Sequence, residues 1–232
     1  MRLPHFLGLT NRLLSVYSKD MEENKTTAKT FAIKQAEFVV SCAAGTPPPP
    51  PQPLEVAIVG KSNVGKSSLL NSLCRNNKLA RVSSAPGKTR LINYFAINRS
   101  FYLVDLPGYG FAKASKSEQS TWGALMEGYL AGGRLSHLFL LLDIRHPPTV
   151  DDATMYRYLL HYGIPFTLIA TKADKISRSQ RKIRANANAK QLTGVPFSMI
   201  YSSESGEGRA ELVQRLGALY ADALQLENHA GR

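Results

Sequence analysis

Apolar residues gather along this chain in short runs that alternate with amphipathic stretches. Leu54-Glu55-Val56-Ala57-Ile58-Val59 is a buried-strand run, and Ser68-Leu69-Leu70-Asn71-Ser72-Leu73 begins a helix that runs to about Arg75. Leu91 to Ile97 and Phe101 to Val104 predict two more strands. Asn98-Arg99-Ser100 between them is of hairpin length, so the pair should be antiparallel. Lys113 to Ala131 carries Trp122, Leu125, Met126, Tyr129 and Leu130 at near-helical spacing, a stripe that reads as core packing. His137 to Asp143 is a buried strand, and Thr149-Val150-Asp151-Asp152 has the form of a capping box opening a helix to about Tyr162. Ile164 to Ala170 is the next strand. Ser177-Arg178-Ser179-Gln180 repeats the capping-box form and opens a helix to about Gln191, with Ile183 and Ala187 facing inward. Phe197 to Tyr201 predicts the last strand, and Gly208 to about Leu226 the last helix, with Leu212, Leu216, Leu219 and Leu226 inward. This alternation of β and α demands an α/β fold in three layers: a mostly parallel central sheet with one antiparallel strand, and helices on both faces.

The flanks are of a different character. Residues 1–30 read as a disordered N-terminal extension. Arg2, Arg12 and Lys19 occur in the first nineteen residues without any acid, as in an organelle address, whereas Met21 and the polar run after it fit a later start of translation. Residues 31–53 hold a β-like run at Ala36–Ser41 and then prolines from Pro47 to Pro51. Those prolines form a stiff spacer by composition, with a PxxP ligand as the other reading. Residues 54–226 are the main domain and residues 227–232 a frayed end.

Composition narrows the class. The formal charge is +12 and the isoelectric point about 9.8, which favours a polyanionic partner over a merely soluble basic surface. The two cysteines, Cys42 and Cys74, have no metal-ligand spacing and fit free thiols in a reducing cytoplasm. The longest apolar run, Leu135 to Ile144, is too short to span a bilayer.

Candidate chemistry falls at the carboxyl ends of the predicted strands, where open α/β sheets bind ligands. Gly60-Lys61-Ser62-Asn63-Val64-Gly65-Lys66-Ser67 is G-x-x-x-x-G-K-S between a strand and a helix. Its backbone N–H groups can cradle phosphates, Lys66 can reach the β- and γ-phosphates, and the Ser67 hydroxyl can ligate Mg²⁺. Asp105-Leu106-Pro107-Gly108 follows the next-but-one strand, about 40 residues later. Asp105 can meet a Mg²⁺-bound water, and the Gly108 N–H can meet the γ-phosphate. Thr171-Lys172-Ala173-Asp174 ends another strand. A carboxylate edge-on to guanine accepts from N1–H and the 2-amino group, whereas adenine would leave it unpaired, a penalty of roughly 1–3 kcal/mol. The stem of Lys172 can lie over the purine, and Ser202-Ser203, after Tyr201, can offer a backbone N–H to the guanine O6.

With these motifs the sequence resembles the bacterial EngB/YsxC/YihA family of ribosome-biogenesis GTPases. The likeness runs roughly from Phe31 to Tyr220 and is carried by the glycine loop, Pro86-Gly87-Lys88-Thr89, Asp105-Leu106-Pro107-Gly108-Tyr109-Gly110-Phe111-Ala112, Asp143-Ile144-Arg145-His146-Pro147, Thr171-Lys172-Ala173-Asp174 and Tyr201-Ser202-Ser203-Glu204. It implies a P-loop G domain that binds GTP and GDP with Mg²⁺. It also implies a monomer acting in the cytoplasm on precursors of the large ribosomal subunit, on rRNA and ribosomal proteins, with a tie to cell division and septation. By position it makes Thr89 the second Mg²⁺ ligand, in a loop that closes on the γ-phosphate. Gly87, Lys88, Arg90, Leu91, Leu106, Pro107 and Tyr201 join the GTP contacts.

Tyr109 stands where Ras-like enzymes place a water-orienting Gln, which predicts slow intrinsic hydrolysis, stimulated by the ribosome. Related GTPases that lack the Gln resemble this chain at Asn63 and use that Asn to hold K⁺. The other reading of Asn63 is a loop-shaping residue with unusual φ/ψ. Lys66, Thr89 and Asn63 are thus the catalytic candidates. Basic residues cluster at Lys172, Lys175, Arg178, Arg181, Lys182, Arg184 and Lys190, at Lys78, Arg81, Lys88 and Arg90, and at Lys113 and Lys116. Two of these groups border the switch loops, which favours RNA over a simple solvated face. The competing functions are a regulatory GTPase with a protein or membrane-associated division partner, and a nucleotide-binding module with negligible hydrolysis.

Overall fold

A computed structural model describes residues 31–80, 91–110, 116–195 and 198–230. Strands β1 (Ala36–Cys42), β2 (Glu55–Gly60), β3 (Ile92–Ile97), β4 (Phe101–Asp105), β5 (His137–Asp143), β6 (Phe166–Thr171) and β7 (Met199–Ile200) form one sheet in the order β1-β3-β4-β2-β5-β6-β7. β3 alone runs against the rest and makes both antiparallel pairings, with β1 and with β4. The others pair in parallel.

The period of two along β2 sorts its side chains between two cores. Val56 and Ile58 face α1 (Lys66–Cys74) and α5 (Arg209–Ala230), among Leu69, Leu70, Leu73, Leu212 and Leu216. Ala57 and Val59 face α2 (Lys116–Ala131) and α3 (Val150–His161), among Met126, Leu130, Met155 and Leu159. Because both faces are covered, β2 is buried along its whole length, and the site at its carboxyl end rests on a rigid floor. The stripe on α2 is core packing as predicted, with Leu125, Met126 and Leu130 buried.

The Thr149 capping box forms in both directions: its hydroxyl accepts from the Asp152 N–H, and Asp152 Oδ2 accepts from the Thr149 N–H at 2.7 Å. The Ser177 box does not. The Gln180 N–H goes to the Ser177 carbonyl at 3.0 Å, and Ser177 Oγ lies 3.3 Å from Ser179 Oγ instead. The helix after it, α4 (Arg178–Thr193), also turns a different side inward. Ala185, Asn188 and Ala189 are buried, whereas Ile183 is 61% exposed and Ala187 is exposed. A polar residue sets this phase: Asn188 donates to the His146 carbonyl at 2.8 Å. On α5, Leu226 is 72% exposed, and the helix continues to Ala230 instead of ending at Leu226. β1 is no separate appendage. It completes the sheet, and Phe31 just ahead of it packs between Phe101 and Tyr220. Cys42 and Cys74 are free, and burial pushes the Cys74 thiol up to about 12.

Candidate nucleotide site

The glycine loop connects β2 to α1. Gly65 occupies the N-cap position of α1 at φ 108°, a conformation that only glycine holds without strain, and no side chain caps this helix end. The first N–H groups of α1 are therefore left for a ligand. Asn63 is also left-handed, at φ 64°.

The carbonyls of the loop are drawn the other way. Thr171 Oγ1 lies 2.7 Å from the Val64 carbonyl, and Lys172 Nζ donates to the Asn63 carbonyl at 2.6 Å. Both residues come from the T-K-A-D motif at the end of β6. Holding the Val64 carbonyl backward turns the Gly65 N–H of the same peptide forward, whereas the Val64 N–H is spent on the Lys61 carbonyl at 3.0 Å. Lys172 is itself anchored by Asp143 Oδ2 at 2.9 Å, and the same carboxylate takes the Arg145 guanidinium at 2.9 and 2.7 Å. Burial alone would raise the Asp143 pKa, but the bonds from Arg145 and Lys172 outweigh it and hold the carboxyl well below the usual range. The resemblance drew in Asp143 without a role; its place at the end of β5 was the only signal in the chain. A cavity of about 270 Å³ opens at the loop apex, lined by Lys61, Ser62, Asn63, Asp143, Arg145 and Lys172 among others.

Asp105 ends β4 next to the glycine loop, and its Oδ1 lies 3.1 Å from Lys66 Nζ. The contact is ionic without being a directed hydrogen bond, so this buried oxygen keeps an open acceptor position. Such an orphaned oxygen near the Ser67 end of α1 fits Mg²⁺ reached through water. That ion takes few protein ligands beyond phosphate oxygens and needs no cage of carboxylates. Leu106 is buried, and the Pro107 carbonyl accepts from Trp122 Nε1 at 3.2 Å. Gly108 lies so close to the glycine loop that a Cβ there would stand 3.2 Å from the Gly60 carbonyl.

Asp174 sits in a short 3₁₀ turn, Ala173–Lys175. Its Oδ1 accepts from Ser202 Oγ at 2.7 Å and its Oδ2 pairs with Lys175 at 2.9 Å. Burial pushes the carboxyl up, but Lys175 and Ser202 prevail and keep it lowered, hence ionised. Tyr201 supports this loop from beneath. Its N–H goes to Ala170, its carbonyl takes the Ala173 N–H, and its hydroxyl reaches Ser72 Oγ at 3.2 Å, so it has no polar group left for a ligand. The Ser202 N–H is committed to the Glu207 carbonyl at 3.0 Å, which leaves the Ser203 N–H as the one available from that pair. Leu91 is half-buried just ahead of β3. Gly87, Lys88, Thr89 and Arg90, with Arg81, Phe111, Ala112 and Lys113, lie outside the described residues.

The structure thus brings Gly60–Ser67, Asp105–Gly108 and Thr171–Asp174 together at one end of one sheet. Residues 55–172 match the family model of the 50S ribosome-binding GTPases. The chain is 48% identical over 188 residues to a probable GTP-binding protein EngB of Clostridium perfringens, a match covering 79% of this chain and 95% of that protein. This chain belongs to the EngB family of GTP-binding proteins. It is a P-loop GTPase with the G-domain fold. A second EngB protein, from Clostridium kluyveri, is 54% identical over 149 residues, 64% of this chain and 76% of its own. The crystal structure of a probable GTP-binding protein engB superposes with a TM-score of 0.59 at 23% identity, over 72% of this chain and 99% of that one. EngB proteins as a class thus share both sequence and sheet architecture with this molecule.

Proposed function

We infer that this GTPase is a nucleotide-controlled assembly factor of the large ribosomal subunit, working in the cytoplasm, with a downstream effect on cell division. Lys66 neutralises the β- and γ-phosphates. Ser67 and Asp105, with Thr89 from outside the described residues, would hold Mg²⁺, which would supply neutralisation of the phosphate charge. Asp174 accepts from the guanine edge, Ser203 donates to O6, and the Lys172 stem covers the base while its ammonium braces Asn63. Asn63 would be the ligand for K⁺, whose added positive charge would assist hydrolysis.

The observation that carries the ribosomal reading is the basic outer face of α4. Arg178, Lys182, Arg184 and Lys190 are all exposed, and α4 begins four residues after the guanine-side Asp174. Arg181 is not part of this face, because its guanidinium pairs with Glu207. The family description as ribosome-binding supports the same partner, and a face of this kind binds RNA phosphates with counterion release. Among the described residues no helix is long and apolar enough to cross a membrane.

The test is pelleting of purified protein with large-subunit precursors, in GDP and in a non-hydrolysable GTP analogue, across a salt series. Tighter binding with the analogue, lost steeply as salt rises, is the expected outcome. Arg178, Lys182 and Arg184 all changed to Glu should cut binding by about tenfold or more while GTP affinity is unchanged. Equal binding in both nucleotides removes the switch, and an unaffected triple variant places the RNA face elsewhere.

A further inference from the structure

The residue that follows the D-x-x-G motif faces away from the nucleotide side. Tyr109 is 4% exposed, and its hydroxyl donates to Asp152 Oδ1 at 2.7 Å. Asp152 is the acid of the α3 capping box, and its second oxygen accepts from both the N–H and the hydroxyl of Thr149 at 2.7 Å. One carboxylate therefore closes the N-terminus of α3 and holds Tyr109 at the same time. Its negative charge suits that helix end. With its phenol buried and its hydroxyl spent, Tyr109 cannot orient an attacking water as a Gln would.

The backbone around it is tied with equal thoroughness. The Ser62 N–H donates to the Tyr109 carbonyl at 2.9 Å, and the Tyr109 N–H points to the Gly60 carbonyl at 3.4 Å, so Lys61 and Tyr109 form a one-residue parallel bridge. On the other side of Gly108, the Pro107 carbonyl is held by Trp122, whose ring also meets the Tyr109 ring edge-on. Gly108 sits in the middle of these ties, with its own N–H uncommitted among the described residues.

We propose that Tyr109 is a positioning residue for GTP hydrolysis, its hydroxyl latching the D-x-x-G loop to the N-terminus of α3 so that the Gly108 N–H is held in register with the glycine loop. In this arrangement the side chain after the motif acts through the backbone it fixes, without touching the water or the phosphate. The prearranged donor is then available without reorganisation as charge develops on the phosphate. A latch of this kind should change turnover and leave the affinity for GDP, which has no γ-phosphate to meet Gly108, alone.

Single-turnover hydrolysis and nucleotide titration on the full chain test this. Tyr109→Phe removes only the hydroxyl, and Asp152→Asn removes the charge that receives it. Each should slow hydrolysis about tenfold, the size expected for losing a hydrogen bond to a carboxylate, with GDP affinity within about twofold. The double variant should be no slower than the slower single, because both remove one bond. Tyr158→Phe is the control. It deletes another tyrosine hydroxyl on α3, bonded to Glu127 at 3.2 Å and remote from the motif, and should leave the rate unchanged. If Tyr109→Phe folds poorly, Asp152→Asn alone carries the kinetic prediction. An unchanged rate in both, a parallel fall of rate and GDP affinity, or singles that multiply in the double variant would each overturn the latch.

Discussion

At the scale of single residues, Asp143 ties the T-K-A-D motif to the glycine loop. It fixes Lys172, and Lys172 fixes the Asn63 carbonyl. Asp143→Asn should weaken guanine-nucleotide binding and cost about 1–2 kcal/mol of stability, typical of charge-assisted bonds that are partly open to solvent. The sign of the pH effect follows from the lowered pKa. The folded protein holds this carboxylate ionised where the unfolded chain would protonate it, so the stabilisation is present above about pH 4 and fades as pH falls. Urea unfolding of both proteins should therefore show the largest gap at pH 7 and a smaller one at pH 3; a gap independent of pH would refute the assignment. That Asp105, Asp174 and Lys66 would gather at one end of the sheet was legible in the chain, because each lies in a short motif at the end of a predicted strand or at the start of the helix after it. The bracing role of Asp143 was not, since its partner Lys172 is brought to it only by the parallel pairing of β5 with β6. Tyr201 stands beside Ser202 and Ser203, and its side chain turns into the core, a direction its place in the chain did not show.

At the scale of elements, α1 shows how a short helix is made rigid at one end and left open at the other. Its N-terminus has no side-chain cap. At its C-terminus, Arg209 reaches across from α5 and donates to the Ser72 carbonyl at 2.9 Å and to the Leu73 carbonyl at 2.7 Å. A fork of donors on the last carbonyls both satisfies them and suits the negative end of the helix. Arg209→Ala should lower stability by about 1–2 kcal/mol, read as a drop in the urea midpoint. Arg209→Lys should recover only part of it, because an ammonium cannot present the planar fork. Helices and strands were legible to within a few residues because their apolar periods are strong, and the β3–β4 hairpin was legible from its three-residue turn. The ends decided by competition were not. Thr149 and Ser177 head the same pattern, yet only Thr149 caps, since at Ser177 a backbone carbonyl takes the N–H its hydroxyl would have accepted. The inward side of α4 was misjudged because apolar Ile183 was ranked above polar Asn188, whose bond to His146 sets the rotation.

At the scale of the whole molecule, the beginning and the end of the described chain meet. Phe31 packs against Tyr220 of α5 and Phe101 of β4, and Gly217 lies directly beneath it, so that a methyl there would overlap the Phe31 Cβ. Two effects oppose each other at Gly217. Alanine is the better helix former by about 1 kcal/mol, but the overlap forces Phe31 off its seat. Gly217→Ala should therefore destabilise the native chain, and the same change made beside Phe31→Gly should stabilise it. Thermal midpoints of the four proteins would show the reversal, and the same sign in both backgrounds would exclude this contact as the cause. The sequence placed 31–53 apart from the main domain because a proline run followed the β-like residues. Composition along the chain cannot show that a strand returns to the sheet across such a spacer.

The seat of β1 also bears on how the protein is made. β1 is synthesised before the other described strands, yet its described neighbour in the sheet is β3, with Ala36 opposite Ile97 and Cys42 opposite Ile92. A nascent chain therefore carries β1 out of the ribosome with nothing to pair against until the glycine loop and α1 have also emerged. During that interval Phe38 and Val39, which stay exposed even in the finished fold, belong to an unpaired apolar strand of the kind that invites association with other chains. The proline spacer that follows gives the strand a stiff tether, limiting its reach until β3 arrives. In the completed molecule α5 covers Phe31, so the earliest described segment is held by the latest described helix.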